Sequence, residues 1–250
     1  GRCSCLARLR AFFHPFFLAP LAIYKQRCDK DVCWVNGLSY IDRYFEVAHF
    51  DSPLRIGGNV DTRKVLLPYM RRSYIPLCRF HVDDSNVDEL QSVVQQVIEQ
   101  QCGADRNMTT PLSYLLGELI CNISQHSFGH YGYVFSQCLR RKEEKTINLV
   151  IADDGITIYG SYVRTKKYLE KIIGDEVEAL RFANEGFSTK DLPEAENRGY
   201  GISTSKNMLV HGLKGSFFMS SGAAFHRHDV NGSVFVKLPP TVYWQGTIVL

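Results

Sequence analysis

Two segments of the chain repeat apolar residues at the spacing of a single buried helical face. In the first, "SNVDELQSVVQQVIEQQCG", Ser85 and Asp88 resemble a capping box and Gly103 is a helix-ending residue. The apolar positions are Leu90, Val93, Val94, Val97 and Ile98. This i, i+3, i+4, i+7, i+8 pattern predicts an amphipathic helix that ends at Gly103.

The second segment, "NMTTPLSYLLGELICNISQHS", predicts a longer helix. Thr110 followed by Pro111 is typical of a helix start, with a hydroxyl N-cap and proline at the first helical position. Its apolar stripe is Leu112, Leu115, Leu116, Leu119, Ile120 and Ile123. Glu118, Asn122 and His126 recur every fourth residue, so they form a polar line beside that stripe.

Strand patterns follow this helix. In "TINLVIADDG", Ile147, Leu149 and Ile151 alternate with other residues and Asp153 lies at the strand end. Residues 161–184 have a helical pattern, and "EGFSTKDLPEAEN" predicts a mobile loop. The glycine pair of "RGYGISTSKNMLVHG" begins a helix that ends at Gly212, and the remaining tail predicts strands and hairpins. One of these hairpins would contain His226 and His228 near its tip.

These patterns predict an α/β protein of two domains. Residues 1–105 contain short apolar runs separated by turn-rich segments, which indicates a smaller α/β domain that recognises a partner or regulates the site. Residues 106–250 contain the long helix, the strand that ends in Asp153 and the glycine-rich segments. A length of 250 residues is sufficient for either one large domain or two small ones.

Composition excludes several protein classes. The chain is 45% apolar and 22% charged with a net charge of +3, and no dense Lys/Arg block indicates a nucleic-acid partner. His14, Pro15 and Pro20 interrupt the N-terminal apolar run, which argues against a signal peptide. No uninterrupted apolar stretch is long enough for a transmembrane helix. We therefore expect a cytoplasmic protein without a membrane partner, in which the N-terminal run forms a buried first element.

The eight cysteines do not indicate a disulfide scaffold. They all lie at or before Cys138, and no CxxC pair occurs. Cys121 and Cys138 are expected to be small buried hydrophobic residues. A zinc site built from the N-terminal cysteines is the alternative, although their spacing differs from that of common zinc motifs.

Four motifs in the second region together resemble a known family. In order, they are "ELICNISQHS", "IADDG", "RGYGIS" and "GTIVL". The same order of motifs, on the same kinds of elements, is found in the GHKL ATPase superfamily, which includes histidine kinases and anti-sigma-factor kinases. The resemblance covers about residues 106–250 and implies a Bergerat-type sandwich, with a mixed sheet covered by helices on one face, that binds ATP and Mg²⁺.

The resemblance implies roles for the first two motifs. Asp153 would accept a hydrogen bond from the adenine amine, and Gly155, which lacks a Cβ, would allow the backbone to approach the base. Asn122 would supply an oxygen to Mg²⁺. Glu118, one helical turn earlier, would polarise the attacking water or hydroxyl as the catalytic base.

Other residues would contact the rest of the nucleotide. Gly199, Tyr200, Gly201 and Ile202 would present backbone amides to phosphate at a helix N-terminus, and Thr247 would contact the adenine pocket through water. The ATP lid would be residues 159–197. Ser188, Thr189 and Lys190 would meet the γ-phosphate when the lid closes; the alternative, for Ser188 and Thr189, is a solvated loop. Arg198 and Lys206 would flank the phosphate site and add positive charge; the alternative for either is a surface position. His126 would contact the phosphate side of the nucleotide or be a purely structural histidine.

Several departures from the family pattern narrow the expected function. Thr157 replaces the second glycine of Asp-x-Gly-x-Gly, which indicates a less freely hinged lid. The sequence contains no histidine-kinase phosphoacceptor pattern and is too short for a gyrase-type transducer domain. We therefore expect a Mg-ATP-binding regulatory protein, an ATPase or a protein serine/threonine kinase, which acts slowly on a protein partner. The alternative is a non-catalytic, nucleotide-gated interaction module, and the resemblance also allows a homodimer.

Overall fold

The computed structural model describes residues 14–28, 39–83, 87–103, 106–141, 144–189, 200–239 and 241–250. These residues form an α/β fold around an eight-stranded mixed sheet, which confirms the predicted α/β class. The strands are β1 (Leu54–Arg55), β2 (Tyr74–His81), β3 (Tyr131–Arg141), β4 (Glu144–Asp153), β5 (Phe217–Gly222), β6 (Ala224–Asp229), β7 (Gly232–Lys237) and β8 (Trp244–Val249). Their order is β1-β2-β3-β4-β8-β5-β6-β7, with β1 parallel to β2 and every other neighbouring pair antiparallel.

Nine α-helices occur in the described residues. They are α1 (Leu18–Cys28), α2 (Ser39–Val47), α3 (Thr62–Leu66), α4 (Val87–Cys102), α5 (Arg106–His126), α6 (Ile158–Thr165), α7 (Leu169–Ile172), α8 (Glu176–Asn184) and α9 (Tyr200–Asn207). Short 3-10 turns cover Pro15–Phe17 and Leu67–Tyr69, and a π-helical turn, Met208–Gly212, continues α9. None of the helices in the described part of the chain is long and apolar enough to cross a membrane.

The main core lies between α4, α5 and one face of the sheet. The two predicted apolar stripes are buried: those of α4 are at most 2% exposed and those of α5 at most 8%. Both stripes pack with Val134 of β3, Ile151 of β4 and Val249 of β8. Gly103 ends α4 with a positive φ of 55°, as its position predicted. Ser85 of the predicted capping box lies outside the described residues.

The opposite face of the sheet carries a second helical layer. Successive strand residues point to opposite faces, so Tyr133 and Phe135 of β3 and Val150 of β4 pack on this side. They contact α1 and α2 through Leu18, Ala19, Ala22, Ile23 and Phe45. The prediction of a buried first element is therefore confirmed for the inner face of α1, whereas Tyr24 and residues 26–28 of the same helix are exposed. Helices were predicted on one face of the C-terminal sheet only, whereas α1 and α2, from the N-terminal region, cover its other face.

The predicted boundary near residue 105 lies between α4 and α5. These helices pack together on the same sheet, and β2 pairs with β3 from His81↔Tyr131 to Tyr74↔Gln137. The strands before and after residue 105 therefore belong to the same sheet. The division into two domains stays a prediction.

Two predicted helix boundaries were wrong. α5 begins at Arg106 rather than after Thr110, so Pro111 lies inside the helix. Helices are stabilised mainly by packing of their apolar face, and the buried stripe that follows outweighs the missing hydrogen bond at Pro111. The single helical stretch expected over residues 161–184 is divided into α6, α7 and α8, with Lys166, Tyr168 and Ile173 in left-handed conformations between them. The expected lid segment therefore begins with packed helices.

Candidate functional site

A large cavity lies between α5, the end of β4 and the segment that follows α8. It encloses about 930 Å³, counted to its open mouth. Six of the residues predicted from the sequence line it: Glu118, Asn122, His126, Asp153, Ile202 and Thr247. The motifs that are far apart in the sequence therefore meet at one cavity.

The polar line of α5 forms one wall of this cavity. The leucine-rich stripe of α5 is buried on the sheet, so the neighbouring face of the helix borders the cavity. Glu118 and Asn122 lie on this face, one helical turn apart. Glu118, Asn122 and His126 are each half-buried. The sequence prediction that these three side chains share one surface is thus matched by their positions in the fold.

Asp153 is the buried carboxylate of the cavity. It is 3% exposed, and it accepts hydrogen bonds from the backbone N–H groups of Gly155 at 2.9 Å and Thr247 at 3.1 Å. Burial raises the pKa of Asp153 from 3.8 to about 7, against the opposing effect of these two hydrogen bonds. A group with this pKa is poised between an acceptor-only carboxylate and a carboxylic acid near neutral pH.

Gly246 explains how β8 comes close enough to donate to Asp153. Its φ is 103°, and a Cβ at this position would overlap the Asp153 carbonyl oxygen. The next residue, Thr247, directs its N–H to Asp153 Oδ2. The glycine-threonine pair of the last motif therefore fixes the position of the buried carboxylate.

Gly155 packs closely against the end of α5. A Cβ on Gly155 would overlap the Ser127 carbonyl oxygen, and Ile156 N–H donates to this same oxygen at 2.7 Å. Gly155 is not among the residues that line the cavity. The absence of a side chain therefore serves the packing of the loop after β4 against the end of α5.

Gly201 couples the third motif to the first. A Cβ on Gly201 would overlap the carboxylate of Glu118, so α9 packs directly on this side chain. The neighbouring residue, Ile202, lines the cavity.

We expect Gly201→Ala to displace the Glu118 carboxylate and to reduce any ATP turnover by roughly 10- to 100-fold, because small misplacements of a reacting group are costly. The fold should survive, since the flexible end of the glutamate can move. Gly212→Ala is the matched control, because its added Cβ would meet nothing within 4 Å. Steady-state turnover of both variants checks this, and equal rates would contradict the role of Gly201.

His126 is tied to the segment that follows α8. Its Nδ1 lies 2.8 Å from Thr189 Oγ1, which in turn lies 3.1 Å from Ser161 Oγ on α6. Gly186, Phe187, Ser188 and Thr189 all line the cavity. The alternative of a solvated loop is therefore wrong for Ser188 and Thr189, which are half-buried at the cavity wall.

Lys206 does not lie at the cavity, contrary to the expectation that it flanks the phosphate site. It is 7% exposed, and its Nζ donates to Asn184 Oδ1 at 3.1 Å. The same oxygen lies 3.0 Å from His226 Nδ1, and His226 Nε2 lies 2.9 Å from Ser233 Oγ. Burial lowers the pKa of Lys206 to about 8. This buried group joins α8 and α9 to the sheet.

The hairpin predicted around His226 and His228 is confirmed. β6 pairs with β7 up to Asp229↔Gly232, and the turn contains Val230 and Asn231. Burial lowers the pKa of His226 to about 3, so this imidazole is neutral inside the fold. The described residues contain no group of three or more His, Cys, Asp or Glu side chains that could hold a metal ion.

Some predicted residues fall outside the described part of the chain. Lys190, Arg198 and Gly199 lie there, as do Cys3, Cys5 and Cys33 of the alternative zinc site. Tyr200 begins α9, but its side chain also lies outside the described set.

Sequence reasoning missed several residues that complete the site. Ser221 Oγ accepts from Ile158 N–H at 2.9 Å and donates to the Gly246 carbonyl at 2.8 Å, so it links α6 to β8. Tyr162 and Phe187 line the cavity, and the Tyr162 hydroxyl donates to the Phe187 carbonyl. No local pattern marks these residues, because their roles depend on contacts between distant segments.

Comparisons of the chain with protein-family models, curated proteins and solved structures find no match.

Proposed function

We propose that this chain binds Mg-ATP in the cavity between α5 and the end of β4, and that it is a regulatory ATPase or protein serine/threonine kinase. The observation that carries the proposal is the convergence of Glu118, Asn122, Asp153 and Thr247 on one cavity. These residues come from three of the four motifs that resemble the GHKL superfamily. On this proposal, the sheet and its α5 face form a Bergerat-type sandwich.

The adenine base would lie at Asp153. A buried carboxylate held by two backbone N–H groups offers a fixed acceptor for an exocyclic amine. Apolar side chains from β4, β5 and β8 line the cavity beside it, namely Ile151, Met219 and Val249. An apolar slot with one buried acceptor suits a flat heterocycle that carries an exocyclic amine. A base without that donor would bind less well, because it would leave the remaining accepting capacity of the carboxylate unused.

The phosphates and Mg²⁺ would lie along α5. Asn122 provides a half-buried amide oxygen on the cavity wall, and hard oxygen ligands of this kind suit Mg²⁺. The ion would neutralise phosphate charge. Glu118, one turn away, would orient a water or a hydroxyl and accept its proton. Backbone amides at the start of α9 would face the phosphates, where the helix dipole favours negative charge.

The second candidate, a nucleotide-gated interaction module, is favoured by one observation. Thr157 Oγ1 accepts from Gly160 N–H at 2.9 Å and caps α6, at the position where the family pattern has a hinge glycine. A capped helix start would slow opening of the segment that Thr189 ties to His126. Such a protein would bind ATP without hydrolysing it, and the bound ATP would control a surface that binds a protein partner.

Turnover distinguishes the two candidates. We expect slow release of phosphate from ATP, or transfer of the γ-phosphate to a protein, in the presence of Mg²⁺. The assay measures phosphate release with and without lysate proteins and labels any phosphorylated target. Tight ATP binding with no turnover under either condition would favour the interaction module, and no ATP binding would contradict both.

The raised pKa of Asp153 predicts a pH dependence of binding. If the carboxylate accepts from adenine, protonation competes with binding, so affinity should rise with pH up to about 7 and then level off. We expect a ~10-fold rise between pH 6 and pH 8. Adenosine is the appropriate ligand, because it has no phosphate that titrates in this range, and calorimetric titration measures its affinity.

The same pKa predicts the opposite trend for stability. Between the ordinary pKa of 3.8 and about 7, the folded state binds more protons at Asp153 than the unfolded state, so this group's contribution to stability falls as pH rises.

Asp153→Asn should remove the pH dependence of adenosine binding. An unchanged dependence in that variant would assign the titration to another group.

A further inference from the structure

A second cavity lies on the other face of the sheet, behind the end of β4 that carries Asp153. It encloses about 870 Å³, counted to its open mouth, and it lies between α1, the loop before β1 and the ends of β2, β3 and β4. Its lining is polar, in contrast to the apolar nucleotide cavity. The polar and charged residues are Gln26, Arg27, Asp51, Ser52, Arg79, Tyr131, Tyr133 and Asp154.

Arg79 has hydrogen-bonding capacity that the described residues do not use. Its guanidinium lies 4.9 Å from the Tyr131 ring centroid, and Nη1 donates to Gln26 Oε1 at 3.2 Å. Its Nε is buried and has no hydrogen-bond partner among the described residues. A buried N–H of a charged group without an acceptor is costly, so the Arg79 guanidinium would gain from an acceptor in this cavity.

Two carboxylates also line the cavity, and each already has partners. Arg27, on the last turn of α1, donates to the Asp154 carbonyl. Asp51 pairs with Lys25, and the Asp154 carboxylate accepts the backbone N–H groups of His130 and Tyr131, both at 2.8 Å. Both acids therefore already have partners. The two guanidinium groups, by contrast, keep further N–H donors in a planar fork.

We propose that this second cavity is a binding site for a small oxyanion, either a carboxylate or a phosphate group, held by Arg79 and Arg27. Guanidinium forks match the oxygens of both groups, and the Tyr133 hydroxyl, which donates to Gln26 at 2.6 Å, can accept or pass on a hydrogen bond at the same place. The site is distinct from the nucleotide cavity. Asp154, which lines this cavity and accepts a hydrogen bond from Arg27 at its carbonyl, directly follows Asp153 in the chain.

The test is a titration of the protein with sodium phosphate and, separately, with sodium succinate, at an ionic strength kept constant with sodium chloride. The side-chain Nε–H resonance of Arg79 is followed by NMR. We expect the Arg79 resonance to shift in a saturable way with at least one anion. The anion that causes the shift shows whether the site binds phosphate or carboxylate groups. We also expect Kd to rise at least ~10-fold in Arg27→Gln and, by calorimetry, in Arg79→Gln. Arg140→Gln, which removes an exposed arginine of β3 remote from this lining, should bind as the wild type does.

Phosphate could also enter the nucleotide cavity, so Asn122→Ala is included. We expect this variant to keep the Arg79 response. The proposal is overturned if neither anion shifts the Arg79 resonance, or if both arginine variants bind with wild-type affinity. It is also overturned if only Asn122→Ala weakens phosphate binding. Because Arg27 is exposed, Arg27→Gln should fold normally. This variant therefore tests the proposal even if Arg79→Gln does not fold.

Discussion

Glu118→Ala is expected to lower ATP turnover by ~10²–10⁴-fold while ATP affinity changes little, because general bases contribute rate enhancements of this size. Glu118 borders the cavity one turn before Asn122, and α9 packs against its carboxylate at Gly201. In the proposed reaction this carboxylate orients the attacking group and accepts its proton. The change removes only a half-buried side chain, so the fold should persist.

Single-turnover measurements with Mg-ATP, combined with calorimetric titration, separate binding from chemistry in Glu118→Ala. Glu46→Ala is the matched control, because Glu46 is an exposed glutamate of α2 that lines neither cavity. Wild-type turnover in Glu118→Ala would exclude Glu118 as the base. A loss of ATP binding equal to the loss of turnover would indicate a role in binding instead.

Asp153→Asn is expected to weaken ATP binding by ~1–3 kcal/mol, or roughly 5- to 150-fold, the cost of spoiling one buried polar pairing. The wild-type carboxylate offers oxygens to both Gly155 N–H and Thr247 N–H. An asparagine keeps only one oxygen, so its NH₂ group would face either one of these donors or the adenine amine.

Calorimetric titration with ATP measures this loss, and the melting temperature of the ligand-free variant reports any effect on the fold itself. Asp42→Asn provides the control, since Asp42 is exposed on α2. If Asp153→Asn bound ATP as tightly as the wild type, the adenine assignment would have to be abandoned.

Local patterns predicted the helices that build the site. The stripes of α4 and α5 could be identified from the sequence, because helical burial leaves a regular spacing of apolar residues. The polar line from Glu118 to His126 followed from the same helical spacing. The position of Asp153 at a strand end followed from the alternating apolar residues before it. These features depend on residues that are close together in the chain.

Features that depend on distant segments could not be predicted in the same way. Nothing local indicates that β2 pairs with β3, or that α1 covers the back of the sheet. Gly155 and Lys206 illustrate the same limit, because their neighbours, Ser127 and Asn184, are remote in sequence. The sequence gives no sign that Gly155 packs against Ser127 or that Lys206 is buried against Asn184.

The most direct test of the account is a crystal structure of the protein with a non-hydrolysable ATP analogue and Mg²⁺. We predict the adenine amine within hydrogen-bond distance of Asp153 and the ion bound by Asn122, inside the cavity bordered by α5 and β8. An analogue bound elsewhere on the protein, with Asp153 and Asn122 contacting none of it, would contradict the central claim.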